Sequence, residues 1–531
     1  MPNTHSTLTS LFSDIADAIR GKTGSSATIV ADDFPTAIAN IPTGGGGGGS
    51  SGDAVRFIDY DGTILHSYSA EDFAALTTMP ANPTHTGLTS QGWNWTLADA
   101  KAQVTAMGSC DIGQMYITDD GKTRVYISLV DSAGLSPYLG LGVNGTVVVD
   151  WGDNTATDTL TGTAVNVDRK VQHSYASTGN YVITLTVTSG TFAIMGVATN
   201  SNGSTLLTRT NDYGSFQKYY QNAIQKIELG ANAFFSAYAF QNCYSLASVT
   251  IPKNSVTVIS DAVFQNCYAL TSITIPSGVA TIGANVFDSC YSLVSIAMPN
   301  SITLINTYAF RYCYSLVNIT IPKNVTSFGT YAFAYCPIQS ITLPNQITSI
   351  ANQMFYCCYS LKSITIPNNV LTIGSSSFNS CYSLANIDIP SGVTTIGASA
   401  FSGCRSLVNV DIPSSLTSFG ANGVFNNCYS LSSFTIPNWM TSIGNQTFNG
   451  CYSLSSITIP SSVTSLGTQV FQYCYGMVEY HFLSTTPPTL ANTNVFTGIS
   501  ATCKIYVPAA SLTTYQEATN WSTYASYMVG E

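Results

Sequence analysis

Eleven cysteines recur along the second half of this 531-residue chain, at Cys243, Cys267, Cys290, Cys313, Cys336, Cys358, Cys381, Cys404, Cys428, Cys451 and Cys474. Their spacing is 22 to 24 residues. Thiols in such numbers can form disulfides or bind zinc. A fixed period opposes both. Side chains at the same place in successive coils stand about 4.8 Å apart, wider than the roughly 3.8 Å between Cβ atoms of a disulfide. A zinc site needs ligands that converge on one point, and a row supplies one thiol per coil. The row is therefore expected to hold reduced, buried thiols that act as small apolar plugs. Cys357 beside Cys358 is the exception, and its reactivity stays open. Asp150, Asp153 and His173 form the other group with chemical potential, as a metal or acid–base site. Turn hydrogen bonds and strand anchoring are the simpler reading. The chain shows no nucleophile–base pair, no metal-ligand cluster and no phosphate loop. No enzyme, cofactor or metal is expected.

The elements that position these residues follow from the repeat. In the segment 270–276, Ile273 and Ile275 alternate with Thr, so one face of a short strand is buried. Pro276 ends the strand where a missing N–H does least harm. Val279 and Ile282 make a second buried edge. Phe287 and Cys290 are three apart on a short helical turn and face inward together. One coil cannot bury its own face, but a stack can. Eleven coils give a rod of about 50 Å.

Composition narrows the function classes. Charged residues are 8% of the chain, against about 25% in typical domains. Residues 231–475 carry five positive and four negative side chains, so the repeats are near neutral and the chain's net charge of −10 lies elsewhere. There is no basic patch for nucleic acid. No apolar run is long enough to insert in a membrane. The N-terminus lacks a basic segment followed by an apolar run, so no signal peptide is expected.

Before the repeats the chain divides into several units. Residues 1–43 read as a helical docking or oligomerisation module, with Leu8, Leu11, Phe12, Ile15 and Ile19 at helical spacing. Forty residues rarely bury enough to fold alone, so this stripe is expected to dock on its own copies or on a larger assembly. Residues 44–52 are a Gly/Ser linker. Residues 53–140 read as a small α+β domain, with hairpins over 55–66 and 115–127 and a helix over 97–107. Trp93 and Trp95 alternate and are expected in its core. Residues 141–190 contain Asp150-Trp151-Gly152-Asp153, His173-Ser174-Tyr175 and Gly179-Asn180-Tyr181-Val182-Ile183-Thr184-Leu185. This resembles a PKD-type domain, with Asn154 in place of the usual second glycine. The resemblance implies a β-sandwich that serves as spacer or contact module. Residues 191–223 are an irregular connection, 224–477 the solenoid and 478–531 a capping region.

The repeat, x-A-F-x-x-C-Y-S-L-x-x-I-x-I-P, resembles the BspA-like, Treponema-type leucine-rich repeat. That resemblance implies adhesion at a cell surface. The fold class expected is mainly β with short helices: a leucine-rich-repeat solenoid preceded by a PKD-like sandwich, a small α+β domain and a helical module. Residues 8–42 resemble the start of tail-module proteins in Firmicutes prophages. Together these resemblances imply a tail-associated receptor-binding protein in a virion. It would dock to tail proteins through its N-terminus and touch a host-surface glycan or protein with the ladder. A bacterial surface or secreted adhesin is the alternative.

Candidate contact residues are the departures from the repeat. Tyr308 and Tyr312, with Tyr331 and Tyr335 one coil on, are expected to form one outward patch. Nine of eleven coils also place Tyr directly after the cysteine. Arg405 interrupts that row, and Trp439 stands at a turn where other coils carry small or polar residues.

Overall fold

The computed structural model describes residues 53–196, 206–208, 220 and 222–531. The module at 1–43, its stripe from Leu8 to Ile19 and the linker lie outside the described residues.

The first unit is a four-stranded sheet. β1 (Val55–Ile58) and β2 (Ile64–Tyr68) form the expected hairpin. α1 (Ala70–Ala75) follows, with the Ser69 hydroxyl accepting from the Asp72 amide. β3 (Leu88–Trp93), α2 (Leu97–Met107) and β4 (Cys110–Thr118) complete it, in the order β2-β1-β4-β3. Thr96 caps the start of α2 and Gly108, at φ 78°, ends it. Phe57, Phe73, Trp93, Trp95 and Ile112 fill the core between sheet and helices.

The second expected hairpin, over 115–127, does not form. β4 and β5 (Thr123–Leu129) part at the intervening turn and join different sheets. Their burial explains this. Nearly every residue of β4 is buried, because protein covers both its faces, while β5 alternates buried and half-buried residues as a one-faced strand does.

β5 opens an eight-stranded sheet with β6 (Tyr138–Asp150), β7 (Asp158–Gln172), β8 (Gly179–Ile194), β9 (Leu207–Thr208), β10 (Ile224–Glu228), β11 (Ala233–Phe235) and β12 (Ser248–Thr250). Its path is β12-β10-β5-β8-β6-β7, with β11 on β8 and β9 on β6. The strands of the PKD-like segment thus hydrogen-bond into one sheet that runs through β5 into the solenoid. β10 is the joint: antiparallel to β5 on one side, parallel to β12 of the first coil on the other.

From there the chain is a ladder of parallel two- to four-residue strands in register one coil apart, such as Ser272↔Ser295 and Ile273↔Ile296. Two columns run through its interior. Phe240, Phe264, Phe287, Phe310 and Phe333 stack at 5.4–5.6 Å between ring centroids, and the column continues to Phe496. Beside it, each row thiol from Cys267 to Cys474 donates to the carbonyl of the phenylalanine one coil earlier, as from Cys290 to Phe264 at 3.1 Å and from Cys404 to Phe378 at 3.2 Å. All fourteen cysteines are free and buried. The row thiols therefore fill space as expected, and each from Cys267 to Cys474 also satisfies a buried carbonyl. At the far end the strands Glu479–Phe482, Lys504–Val507 and Met528–Gly530 extend the sheet. α3 (Leu512–Glu517) and Trp521 close the core, the Trp521 indole donating to the Pro488 carbonyl at 2.7 Å.

The small α+β unit is seated on the strand face of the first coils. The Asn94 side-chain amide donates to the carbonyls of Ile275 and Ala297, both at 3.0 Å, and its oxygen accepts from the Gly113 amide at 2.8 Å. The Trp95 indole donates to Met298 O at 2.9 Å. Gln103 donates to Ile321 O at 2.8 Å and accepts from the Lys323 amide at 2.7 Å. Gly113 lies so close to Thr274 and Ala297 that no side chain fits there. Trp95 is thus a core residue of the seam between the two units as well as of its own domain.

Candidate binding surfaces

The PKD-like residues serve structure. Trp151 is buried, with His173 stacked on it at 4.7 Å. His173 Nε2 lies 2.8 Å from Asp153 Oδ2, and Asp153 Oδ1 accepts from the amide and hydroxyl of Thr155. Asp150 accepts from the Gly152 amide, and the Tyr175 hydroxyl donates to Trp151 O. Both carboxylate oxygens of Asp153 are thus engaged, in a turn and in the imidazole contact. Asn154 takes φ 62°, the conformation a glycine would supply. A second carboxylate–imidazole pair escaped sequence reasoning. Asp59 is buried, accepts from Tyr116 OH at 2.8 Å and faces His85 Nε2 at 2.7 Å. It ties the 80–88 loop to the sheet, and no nucleophile stands beside it. Among the described residues no three His, Cys, Asp or Glu side chains converge as metal ligands, and no helix is long and apolar enough to cross a membrane.

The four tyrosines of the expected patch do come together, half-buried rather than fully exposed. Tyr308 stacks on Tyr331 at 5.2 Å and Tyr312 on Tyr335 at 4.5 Å. Two further residues join them. Tyr356 packs edge-on against Tyr331 and Tyr335, at 5.8 and 5.6 Å. The Arg311 guanidinium lies 4.2 Å over Tyr308 and 5.0 Å over Tyr312 and forms a two-point ion pair with buried Asp288, at 2.9 and 2.8 Å. That pairing raises the Arg311 pKa, the Asp288 hydrogen bonds contributing most. Burial pushes the Tyr335 phenol up, and nearby Cys357 adds to the rise.

All four patch tyrosines have left-handed backbones, with φ of 58°, 61°, 58° and 63°. These places are held by Asn285 and Ser289 in the coil before, by Gln353 and Cys357 in the coil after, and by Ser376 and Ser380 in the next, all smaller than tyrosine. A bulky side chain there costs on the order of 1 kcal/mol each. The sequence signal was a pair of tyrosines four apart around the inward Phe, repeated in the next coil. Arg311 and Tyr356 carried no such signal.

The tyrosines that follow the cysteines stack along the rod, as Tyr244–Tyr268 at 4.8 Å and Tyr268–Tyr291 at 4.6 Å. Arg405 is exposed, yet its guanidinium lies 4.1 Å over Tyr382 and 5.3 Å over Tyr429. It fills the gap in the row by cation–π contact. Trp439 is 38% exposed at its turn and is not part of the Tyr308 patch. Cys357 is buried, which raises its thiol; hydrogen bonds with Tyr359, Tyr335, Ser380 and Tyr356 oppose the shift without cancelling it. It is no activated thiolate.

Residues 233–362 and 348–478 match the family model described as the BspA type leucine rich repeat region, in six copies. The ladder matches the BspA type leucine rich repeat. Among solved structures, a leucine-rich repeat protein from Bacteroides ovatus is 26% identical, covering 55% of this chain and 76% of that one, with a TM-score of 0.43. The T. pallidum leucine rich repeat protein is 30% identical over 31% of this chain and 78% of its own, with a TM-score of 0.29. A leucine rich cell surface protein from Faecalibacterium prausnitzii is 24% identical over 56% and 89%, with a TM-score of 0.34. No curated protein matches the chain. The leucine-rich-repeat region is mainly β, a solenoid of stacked parallel coils.

Proposed function

We propose that this chain is a non-catalytic binding protein that recognises a cell-surface ligand through the aromatic patch of Tyr308, Tyr312, Tyr331, Tyr335 and Tyr356 around Arg311. The backbone carries the reading: four tyrosines hold strained left-handed conformations on two adjacent coils, where smaller residues serve in neighbouring coils. Such strain persists where the surroundings fix it, and it collects at functional sites. Rigid tyrosines offer contact area at low entropic cost. Replacing Tyr308, Tyr312, Tyr331 and Tyr335 together with Ser removes the rings and relieves the strain. Binding of the purified chain to target cells is expected to fall at least about 30-fold, the loss of a hot spot of about 2 kcal/mol, with thermal unfolding little changed. Wild-type binding by a folded variant would overturn the reading.

The finer reading is a phage or prophage tail protein. It rests on the resemblance of residues 8–42 to tail-module proteins and on the Gly44-to-Gly49 run that tethers them. In this reading the apolar stripe from Leu8 to Ile19 docks on tail structural proteins and the PKD-like segment is a spacer. Deleting residues 1–43 is then expected to abolish incorporation into particles while cell binding stays at the wild-type level. Loss of cell binding in that truncation would contradict the division of labour.

A further inference from the structure

The left-handed slot just before each row cysteine holds a small or amide residue in most coils, among them Asn242, Asn266, Ser289, Ser380, Gly403, Asn427 and Gly450. It holds tyrosine at Tyr312 and Tyr335, and once more at Tyr473, with φ 60°. Tyr473 belongs to a second aromatic cluster, centred on Tyr475. Its ring lies 5.8 Å from that of Tyr475, and Tyr475 lies 5.6 Å from Tyr452. This cluster is open to solvent: Tyr452, Tyr473 and Tyr475 are 41%, 42% and 58% exposed. In the next coil the same slot is Gly498, at φ 85°. A Cβ there would stand 3.1 Å from the Tyr475 ring and 3.2 Å from the Tyr473 ring. The glycine lets both rings pack close against its backbone.

The two clusters sit on the same rail of one rod. Tyr335 and Tyr473 are six coils apart, about 29 Å at roughly 4.8 Å per coil. Between them runs the half-buried row of Tyr359, Tyr382 and Tyr429, plugged by Arg405, and the charges there balance. From residue 336 to 478 the only charged residues are Lys362, Asp388, Arg405 and Asp411, two of each sign. Each cluster is small. A protein partner would call for one continuous footprint of about 800 Å² with an apolar centre. Two exposed aromatic stations joined by a half-buried tyrosine row on a neutral rail fit a repeating ligand instead. Sugar rings suit such stations: their C–H faces pack on aromatic rings and their hydroxyls pair with phenols, Ser and Asn.

We propose that the ladder binds a neutral polysaccharide, one chain of which bridges the Tyr308–Tyr356 patch and the Tyr452–Tyr473–Tyr475 cluster. The proposal rests on the reading of the first patch as a recognition surface. Two stations on a rigid body make the second contact intramolecular, with a gain of about 10²-fold or more over a single station.

The test uses the full chain and a panel of neutral glucans, mannans and galactans, each as long polymer and as short oligosaccharide. Tyr473→Gly with Tyr475→Ser disables the second station. Gly403 and Gly450 hold the Tyr473 slot in other coils, so this variant keeps the fold. The wild type is expected to bind one polymer about 100-fold more tightly than its oligosaccharide. The variant is expected to bind polymer and oligosaccharide alike. If the second-station variant binds polymer as the wild type does, while the four-tyrosine variant loses binding, the bridging proposal fails and the first patch stands. If both variants bind like the wild type, the reading of the first patch fails as well. If no polysaccharide binds and protease treatment of target cells removes their binding, the partner is a protein and the proposal is overturned.

Discussion

Raising the pH past about 9 unfolds the ladder over a narrow interval. Burial lifts nine of the row thiols, Cys267, Cys290, Cys313, Cys358, Cys381, Cys404, Cys428, Cys451 and Cys474, above their ordinary value of 9.0. Even Cys474, at the end of the row, is pushed up to about 12. The unfolded chain ionises its thiols near 9, and the folded chain keeps its protons. Above that pH the unfolded state binds fewer protons, so stability falls as pH rises. Each thiol contributes about 1.4 kcal/mol per pH unit. Nine in one cooperative body give a slope on the order of 10 kcal/mol per unit, comparable to the whole stability of a typical domain. Urea midpoints measured at stepped pH in the presence of a non-thiol reductant check this. Replacing Cys381 and Cys404 with Ala should reduce the slope by about 1.4 kcal/mol per unit each. A midpoint that stays level between about pH 9 and 11 would contradict the thiol columns as described.

Replacing Asn94 with Leu is expected to release the α+β unit from the ladder. The change leaves the Ile275 carbonyl without its side-chain donor and the Gly113 amide without its acceptor, both in a buried seam. Each orphaned group costs about 1–3 kcal/mol, and Asn94 also links Ala297. Hydrogen exchange reads the outcome by region. Amides of 88–118 should lose protection, while those of the coils beyond 340 keep theirs. Unchanged exchange over 88–118 would show that the seam holds without Asn94.

The ladder was legible in the sequence because one coil's requirements repeat: an inward Phe, a Cys three residues on, two alternating Ile and a closing Pro. The docking of the α+β unit was not legible. Thr274, buried under that unit, and Thr365, open to solvent, occupy the same place in the same local sequence. Nothing nearby distinguishes them, because the covering residues, Asn94 and Gly113, come from far earlier in the chain. The hairpin over 115–127 misled for a related reason. Its turn signal is real, but both faces of β4 are spoken for by other partners. The patch tyrosines stood out as a pair four apart around the inward Phe, repeated in the next coil. Arg405 stood out as a break in the tyrosine row, and Arg311 did not. The structure anchors Arg311 on Asp288 inside the patch and makes Arg405 a plug in the tyrosine row.

The seating of one unit on the first coils also sets where this rod can change length. Asn94, Trp95 and Gln103 reach carbonyls at 275, 297, 298 and 321 as if on fixed rungs. A whole coil gained or lost among those rungs would slide the acceptors past their donors. A coil duplicated between Tyr356 and Tyr452 would meet no such gauge, and would carry the second aromatic station about 4.8 Å further from the first. The N-terminal third of the ladder is thus a ruler held in a clamp, and the coils beyond Lys323 carry none of its rungs.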